Sequence, residues 1–401
     1  MTASEHRRAI CGALGLVFCK EKDEVMLNRR EIIQGTSATA VLAWALPALG
    51  KAGDVPALLK DAEALYRESV VIDMLCDEYR DASGLEQIKQ AGLTVMSTTL
   101  GVRRPEKPRG SYMSNGFELD SAVEDCVECN KFIKDNSTLL APARSAADIL
   151  RAKQEGKTAV MLNFQNCPIE GELDNIDMFH SLGIRAMQVT YNERNLLGDG
   201  ATERTNAGLS DFGIAAVQRM NEVGILVDSS HSGPQTTMDT ITFSKRTPII
   251  SHANCAALNE HPRNKSDEII KALAKKGGVM GLTTVNTMVK RDFPVTMEDW
   301  LNHVDHVVRL VGVDHVGFGT DTLVRGWPTD PKLKDEFLKA YGEPHFKASY
   351  RFRYPFGTEG MNDAHKWKYA TAGLMKRGYK DTDIVKILGG NWIRVIGDVI
   401  G

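Results

Sequence analysis

Two histidines stand at the ends of apolar runs and are candidate ligands for one metal ion. His231 ends the run GILVDSSH, and His252 lies near the end of TPIISHA, with one helical segment between the two runs. A strand, a crossover helix and a second strand of this length form parallel neighbours, so both imidazoles are expected at the carboxyl ends of adjacent strands. Imidazole nitrogen is a common Zn2+ ligand, and the pair therefore predicts a metal site.

The elements that position these histidines are short apolar runs that alternate with helical patterns. Near-continuous apolar strands separated by helices predict a parallel sheet, and eight of them predict a closed α/β fold, the TIM-type (β/α)8 barrel. Helical patterns near the C-terminus are expected to pack on this barrel as additional helices. The eight runs are VVIDML (70–75), LTVMSTTL (93–100), TAVMLNFQ (158–165), IRAMQVTY (184–191), GILVDSSH (224–231), TPIISHA (247–253), GGVMGLTTV (277–285) and HVGFGTD (315–321).

Further polar residues follow the other runs, at the face where such barrels carry their active sites. They are Asp73, Asp77, Gln165, Tyr191 and Asp321. A single strand-end histidine is more often structural than a ligand, but two on adjacent strands with an aspartate on the eighth favour a metal-dependent hydrolase. Asp321 is the predicted general base. His303 and His306, on the helical segment HVDHVV, are expected at the surface.

Arg263 follows the sixth run in the segment HPRNKSD. A guanidinium at the active face suits bidentate capture of a carboxylate, such as the C-terminus of a small peptide. The alternative is an arginine that faces solvent where Asn264 or Ser266 caps the next helix.

Composition excludes several classes of function. The net charge is −3, and the basic residues are scattered through the chain, which argues against a nucleic-acid partner. The seven cysteines lack the dense spacing of a disulfide scaffold. Cys126 and Cys129 form a CxxC in a polar helical segment, for which two helix thiols are favoured over a redox or zinc site. A homodimer is the default expectation for a soluble oligomer.

The N-terminal region has the pattern of a twin-arginine (Tat) export signal. Arg29 and Arg30 precede the uncharged run GTSATAVLAWALPALG, which is too short for a comfortable membrane span. Residues 1–52 are therefore predicted to be an N-terminal extension and Tat-type signal, and residues 53–401 a single catalytic domain. The Tat export machinery is then a partner, and the location is periplasmic. The alternative is a cytoplasmic protein whose first helix happens to carry two arginines.

Several blocks in fixed order resemble the membrane (renal-type) dipeptidase family, zinc peptidases of the amidohydrolase-like barrel class. They are GLSDFG (208–213), LVDSSH (226–231), ISHANCAAL (250–258), HPRNKSDEII (261–270), VGVDHVGFGTD (311–321) and ILGGNWIRV (387–395). The resemblance implies that His231 and His252 bind the second of two zinc ions and that Arg263 binds the substrate carboxylate. It also implies that Asp321 handles the catalytic proton.

The sequence departs from the family pattern at the first metal. Leu75 stands where the family has a ligating histidine, Gln165 where it has a bridging glutamate, and Tyr191 where it has an oxyanion-binding histidine. Two adjacent dications need anionic bridging to offset their repulsion, so one Zn2+ is expected rather than two. His231 and His252 would hold it, with Gln165 or Asp77 as a weak third ligand, and Tyr191 would still donate to an oxyanion.

The leading hypothesis is an exported, metal-dependent dipeptidase-like hydrolase that cleaves a small amide or dipeptide. One alternative is a non-hydrolytic tailoring enzyme for a peptide-derived metabolite, which the altered ligand positions favour. The other is a catalytically degenerate barrel that binds a small ligand.

Overall fold

A computed structural model describes residues 55–100, 118–341 and 346–401, and its centre is a closed barrel of eight parallel strands. The hydrogen-bonded order is β7-β6-β5-β3-β1-β10-β9-β8, and the bridge between Asp228 and Ile249 joins β7 to β8. The strands are β1 (Ile72–Asp73), β2 (Cys76–Asp77), β3 (Val95–Thr99), β4 (Leu140–Pro142), β5 (Thr158–Phe164), β6 (Ile184–Gln188), β7 (Leu226–Asp228), β8 (Ile250–Ala253), β9 (Met280–Leu282), β10 (Val316–Phe318) and β11 (Thr322–Leu323). The predicted (β/α)8 barrel is confirmed.

Helices surround the barrel and follow its strands. They are α1 (Val55–Glu68), α2 (Ala82–Ala91), α3 (Leu119–Asp135), α4 (Ala146–Gln154), α5 (Asp174–Ser181), α6 (Asp211–Val223), α7 (Pro234–Phe243), α8 (Asp267–Lys275), α9 (Asn286–Val289), α10 (Met297–Val311), α11 (Lys334–Tyr341), α12 (Lys366–Lys376), α13 (Asp381–Val385) and α14 (Asn391–Val399). Helix α6 shows how a helix between two strands begins and ends: the Ser210 side chain caps its start, and Gly224, with φ 84°, ends it two residues before β7 begins. A glycine tolerates this left-handed turn without steric cost.

The C-terminal helices pack against the barrel, as the sequence predicts. Trp392 on α14 is fully buried, and its indole Nε1 donates to the Phe318 carbonyl over 3.1 Å. Trp367 on α12 donates to the Asp73 carboxylate over 2.8 Å. Gly317 on β10 permits the close approach of Trp392, because a Cβ atom at Gly317 would lie 2.3 Å from the indole Nε1.

The strands are shorter than the apolar runs that predict them, because several runs continue past the barrel ladder. After β1 and β10 the chain forms a separate pair, in which Cys76 and Asp77 of β2 lie beside Thr322 and Leu323 of β11. This small parallel pair extends the carboxyl-terminal face of the barrel and carries Asp77. Residues 1–52, with the predicted signal, lie outside the described residues. In the described part of the chain, none of the helices has the length and apolar character needed to cross a membrane.

Candidate active site

Three rings meet at the carboxyl ends of β6, β7 and β8. The imidazoles of His231 and His252 have centroids 4.9 Å apart and an interplanar angle of 65°. The Tyr191 ring stacks on His231, with centroids 4.0 Å apart and planes 19° from parallel. Both histidines are fully buried. The two histidines predicted to be neighbours are therefore in contact.

Each imidazole is oriented through its Nδ1 atom. The His252 Nδ1 lies 2.8 Å from the Ser251 hydroxyl, and this hydroxyl donates in turn to the Asp228 carboxylate. Because the single Ser251 proton goes to Asp228, the proton between Ser251 and His252 belongs to Nδ1. The His231 Nδ1 donates to the Asn192 side-chain carbonyl over 2.8 Å. Hydrogen bonds of this kind fix the tautomer and ring orientation of metal-binding histidines.

The two Nε2 atoms are buried and have no hydrogen-bond partner among the described residues. Burial lowers the pKa of His231 and of His252 well below the usual value, and the positive charge of Arg263 lowers both further. Both imidazoles are thus neutral at pH 7, with an Nε2 lone pair that lacks a donor. A buried acceptor without a partner is costly, and a bound cation would satisfy both at once.

These two imidazoles fit one metal ion as a partial ligand set. Among residues 55–100, 118–341 and 346–401, no group of three or more His, Cys, Asp or Glu side chains is arranged to hold a metal. Further ligands would therefore be a water molecule, an amide oxygen or a substrate atom. The predicted third ligands are Gln165 and Asp77.

Gln165 and Asp77 lie on either side of Thr99, at the end of β3. The Gln165 amide donates to the Thr99 hydroxyl over 2.9 Å, and the Thr99 backbone N–H donates to the Asp77 carboxylate over 2.8 Å. The Thr98 hydroxyl also donates to Asp77. Burial raises the pKa of Asp77 to about 6, and these hydrogen bonds oppose the rise. Both side chains are at the expected face, but their role as ligands stays a prediction.

Asp321 lies just beyond β10 in a left-handed backbone conformation, with φ 56°. Its backbone N–H donates to the Leu75 carbonyl over 2.8 Å, which ties the turn to the end of β1. Burial raises the pKa of Asp321 to about 7; Arg263 opposes the rise, while Asp77 and Asp73 add to it. A non-glycine residue in this conformation costs free energy, which is common where a side chain must be aimed into a site. Such a carboxyl suits a general base that works near neutral pH.

Arg263 is fully buried, so its solvent-facing alternative is wrong. Its Nε donates to the Ser230 carbonyl over 3.3 Å, but its Nη1 has no partner among the described residues. Lys265 is buried nearby and donates to the Ser229 and Ser232 carbonyls over 3.0 Å and 2.9 Å. Burial, and then the charge of Arg263, lower the pKa of Lys265 to about 7. Arg263 and Lys265 interact electrostatically with the buried carboxylates of Asp321 and Asp228, respectively.

A model of the family described as membrane dipeptidase (peptidase family M19) matches residues 81–337 of this chain. The chain belongs to the membrane dipeptidase family. Dipeptidase verJ of Clonostachys rogersoniana is 29% identical over 345 residues, a match that covers 82% of this chain and 79% of that protein. Membership establishes a dipeptidase-like metallohydrolase, a class that uses a metal cofactor.

Solved structures share the barrel. An amidohydrolase from Pseudomonas aeruginosa has a TM-score of 0.73 and is 33% identical, and the match covers 84% of this chain and 98% of that one. A metallo peptidase from Rhodobacter sphaeroides, liganded with a phosphinate mimic of the dipeptide L-Ala-D-Ala, has a TM-score of 0.67 at 18% identity. That match covers 83% of this chain and 100% of that one.

The departures from the dipeptidase pattern have structural counterparts. Leu75, at the predicted place of a ligating histidine, is buried, and its backbone N–H donates to Asp73 over 3.1 Å. Asp73 itself accepts from Leu75, Thr320 and Trp367, so it ties β1 to its neighbours. These hydrogen bonds engage both carboxylate oxygens of Asp73 and stabilise the fold.

His303, His306 and the CxxC of this dipeptidase-family chain have structural surroundings. The surface position predicted for His303 is wrong: it is buried, accepts from the Cys255 N–H, and lies 2.8 Å from the Val289 carbonyl. His306 lies 2.7 Å from the Asp267 carboxylate. Cys126 and Cys129 are both buried free thiols on α3. Burial raises both thiol pKa values, to about 12 for Cys126 and about 11 for Cys129.

One residue of the site has no signal in the sequence. Tyr350 comes from the long segment after β11, and its buried hydroxyl lies beside the Arg263 guanidinium. Burial raises the Tyr350 pKa to about 12; the positive charge of Arg263 and a hydrogen bond with its side chain oppose the rise, while the charge of Asp321 adds to it. His261 holds this residue: its Nε2 donates to the Tyr350 carbonyl over 2.8 Å, and its Nδ1 accepts from the Arg263 N–H. Both His261 nitrogens are thus occupied.

Proposed function

We propose that this protein is a metal-dependent hydrolase that cleaves the amide bond of a small dipeptide-like substrate, with one Zn2+ held by His231 and His252. The observation that carries the proposal is the pair of adjacent, buried and unpartnered Nε2 atoms. A buried guanidinium with an unpartnered Nη1 completes the pattern of a site for a carboxylate next to a metal. Membership of the dipeptidase family supports this class of substrate.

Each residue has a separate task in this proposal. A zinc ion supplies Lewis acidity to the scissile carbonyl and makes water a better nucleophile at neutral pH. Asp321 takes a proton from the attacking water, and Arg263 binds the substrate carboxylate through charge-assisted hydrogen bonds. Tyr191, which is stacked on His231, donates to the developing oxyanion.

A single ion is favoured because the other half of the site lacks a bridging carboxylate and one ligating imidazole. Leu75 offers no ligand atom, and Gln165 is neutral and donates its amide to Thr99. Without a bridging carboxylate, the repulsion between two adjacent dications is uncompensated. Gln165 or Asp77 would then serve as a weak third ligand for the one ion.

The first test is metal content followed by turnover. The purified protein is expected to bind about one equivalent of Zn2+ and to hydrolyse members of a panel of L,L- and L,D-dipeptides. C-terminally amidated versions of the same dipeptides are the matched control, and they should be poorer substrates because they lack the carboxylate. Absence of both a transition metal and turnover with added Zn2+ would sink the proposal.

The second candidate is a non-hydrolytic tailoring enzyme for a peptide-derived metabolite, and the altered positions Leu75 and Gln165 favour it. Its signature is activity that persists in a chelator. Asp321→Asn distinguishes a barrel that only binds its ligand. Ligand binding should survive the substitution in every case, whereas any turnover should fall steeply.

The proposed location is the periplasm, after Tat export, with a homodimer as the expected assembly. Arg29 and Arg30 are the residues that support export. Replacing both by lysine should keep the protein in the cytoplasm of a Tat-competent bacterium, and unchanged fractionation would contradict it. Light scattering at several concentrations would measure the assembly.

A further inference from the structure

The segment after β11 includes residues 346–357, here called the strap, which is tied to the loops after β8 and β9. His261 donates to the Tyr350 carbonyl over 2.8 Å, and the Asn286 backbone N–H donates to the Phe356 carbonyl over 3.0 Å. Arg353 in the strap donates to the Lys290 carbonyl over 2.8 Å. These bonds attach the strap at both its middle and its end.

Aromatic packing holds the same segment in place. The Phe346 and Tyr350 rings have centroids 4.4 Å apart, and the Phe352 and Phe356 rings stack at 4.6 Å. The Tyr350 ring also meets His261 edge to face at 4.9 Å. Such contacts leave the Tyr350 side chain little freedom, so its hydroxyl has a defined position next to Arg263.

The hydroxyl of Tyr350 lacks a good acceptor. Among the described residues, its acceptor is the thioether sulfur of Met288 at 3.9 Å, which is a weak one. The neighbouring Arg263 Nη1 also has no acceptor. Two buried donors with unmet capacity therefore lie side by side, an arrangement that a carboxylate with two oxygens would satisfy.

Charged groups of both signs surround this pair. Arg263 and Lys265 are both buried, and the electrostatic partners of Lys265 are Arg263 and Asp228. Asp228 already accepts from Ser230 and Ser251. The buried carboxylate of Asp321 interacts electrostatically with both Arg263 and Tyr350, so a ligand carboxylate would be held by the free donors of Arg263 and Tyr350 rather than by an excess of positive charge.

We propose that Tyr350 is a substrate-binding residue that donates a second hydrogen bond to the substrate carboxylate held by Arg263, and that it sets the preference for a free acid over a carboxamide. This inference rests on the proposed function. A carboxylate accepts from both donors, whereas a carboxamide presents an NH2 group that repels one of them. The strap thus acts as a specificity element through one hydroxyl.

The test compares Tyr350→Phe with the wild-type full chain loaded with Zn2+. Removing one oxygen should raise the KM for a dipeptide about tenfold to a hundredfold, because a hydrogen bond to a charged group is lost, while kcat changes little. Tyr354→Phe is the matched control: it removes a hydroxyl from the same strap, where it donates to the Asp330 carbonyl over 2.7 Å. Its KM should stay at the wild-type value.

A second variant separates hydrogen bonding from packing. Met288→Leu removes the sulfur that the hydroxyl faces but keeps the hydroxyl, and it should leave KM unchanged. If Met288→Leu raises KM as much as Tyr350→Phe, or if Tyr350→Phe behaves like Tyr354→Phe, the proposal is overturned. A fall in kcat at constant KM would also overturn it.

Failure of hydrolysis itself is distinguished by binding. A phosphinate dipeptide mimic with a free carboxylate, titrated calorimetrically into the Zn2+-loaded protein, should bind about tenfold to a hundredfold more weakly to Tyr350→Phe. Its C-terminal carboxamide should bind equally to both proteins. If Tyr350→Phe weakens binding of the free acid alone and no protein shows turnover, Tyr350 keeps its proposed role and the hydrolase proposal is rejected. If turnover is observed but the free acid binds equally to both proteins, only the role of Tyr350 is rejected.

Discussion

Replacement of Ser251 by alanine tests how the fold prepares His252 for a metal. The Ser251 hydroxyl links the His252 Nδ1 to the Asp228 carboxylate, so its removal leaves a buried N–H without an acceptor. Loss of such a partner costs about 1–3 kcal/mol of folding free energy. Because the ring also loses its fixed tautomer, Zn2+ affinity should fall about 10–100-fold, which corresponds to about 1.4–2.8 kcal/mol.

The assay is competition for Zn2+ against a chromophoric chelator, with urea unfolding of the metal-free protein measured in parallel. Ser97→Ala is the control, because Ser97 is also a buried barrel hydroxyl and accepts from the Asn163 amide over 2.9 Å. It should lose comparable stability yet keep wild-type Zn2+ affinity. Equal Zn2+ affinity in Ser251→Ala and wild type would refute the assignment of His252 Nε2 as a ligand.

Three further predictions concern protons and buried charge. Asp321→Asn should lower kcat about 10²–10⁴-fold with little change in Zn2+ affinity. In the wild-type protein, kcat/KM should rise with pH up to about 7, because Asp321 acts when it is deprotonated. A bound cation would shift that rise to lower pH. Burial is the main cause that lowers the pKa of His303 to about 4, so the unfolded state binds the proton more readily than the folded state. The free energy of unfolding should therefore fall as pH drops from about 6.5 to about 4, by up to about 1.4 kcal/mol per pH unit. In urea unfolding at several pH values, His303→Gln should show a shallower fall; an identical slope would contradict this. Lys265→Met should lower the free energy of unfolding in urea by about 1–3 kcal/mol, because the carbonyls of Ser229 and Ser232 lose their donor. These carbonyls lie on either side of His231, so Zn2+ binding should also weaken. Unchanged Zn2+ affinity would limit Lys265 to a structural role.

Strand-end positions were the part of the site that sequence could predict. His231, His252 and Asp321 each follow an apolar run, and the carboxyl ends of parallel strands meet at one face. The same rule placed Gln165 and Tyr191 at that face. The rule works because the sheet, rather than the loops, determines where these side chains lie.

Tyr350 could not be found in this way. It lies outside the eight apolar runs that predict the barrel strands, and its position depends on contacts with His261 and Met288 that are distant in sequence. Asn192 and Ser251 were missed for a related reason, since a short polar side chain carries no signal of which histidine it orients.

The error at His303 has a simpler cause. A polar residue type suggested the surface, but helical spacing places His303 on the same face as Trp300, Val304 and Val307, all of which are buried. His303 can be buried despite its polar ring, because the backbone groups of Cys255 and Val289 supply its hydrogen bonds.

The junction of β7 and β8 links the proposed chemistry to the architecture. These strands are the two ends of the hydrogen-bonded order, joined at Asp228 and Ile249. The proposed metal ligand His231 follows β7, and the other proposed ligand, His252, lies in β8. An ion shared by His231 and His252 would therefore act as a clasp across the junction at which the barrel closes. Free energy gained by metal binding is then also free energy of closure, so this protein would lose cofactor and rigidity together.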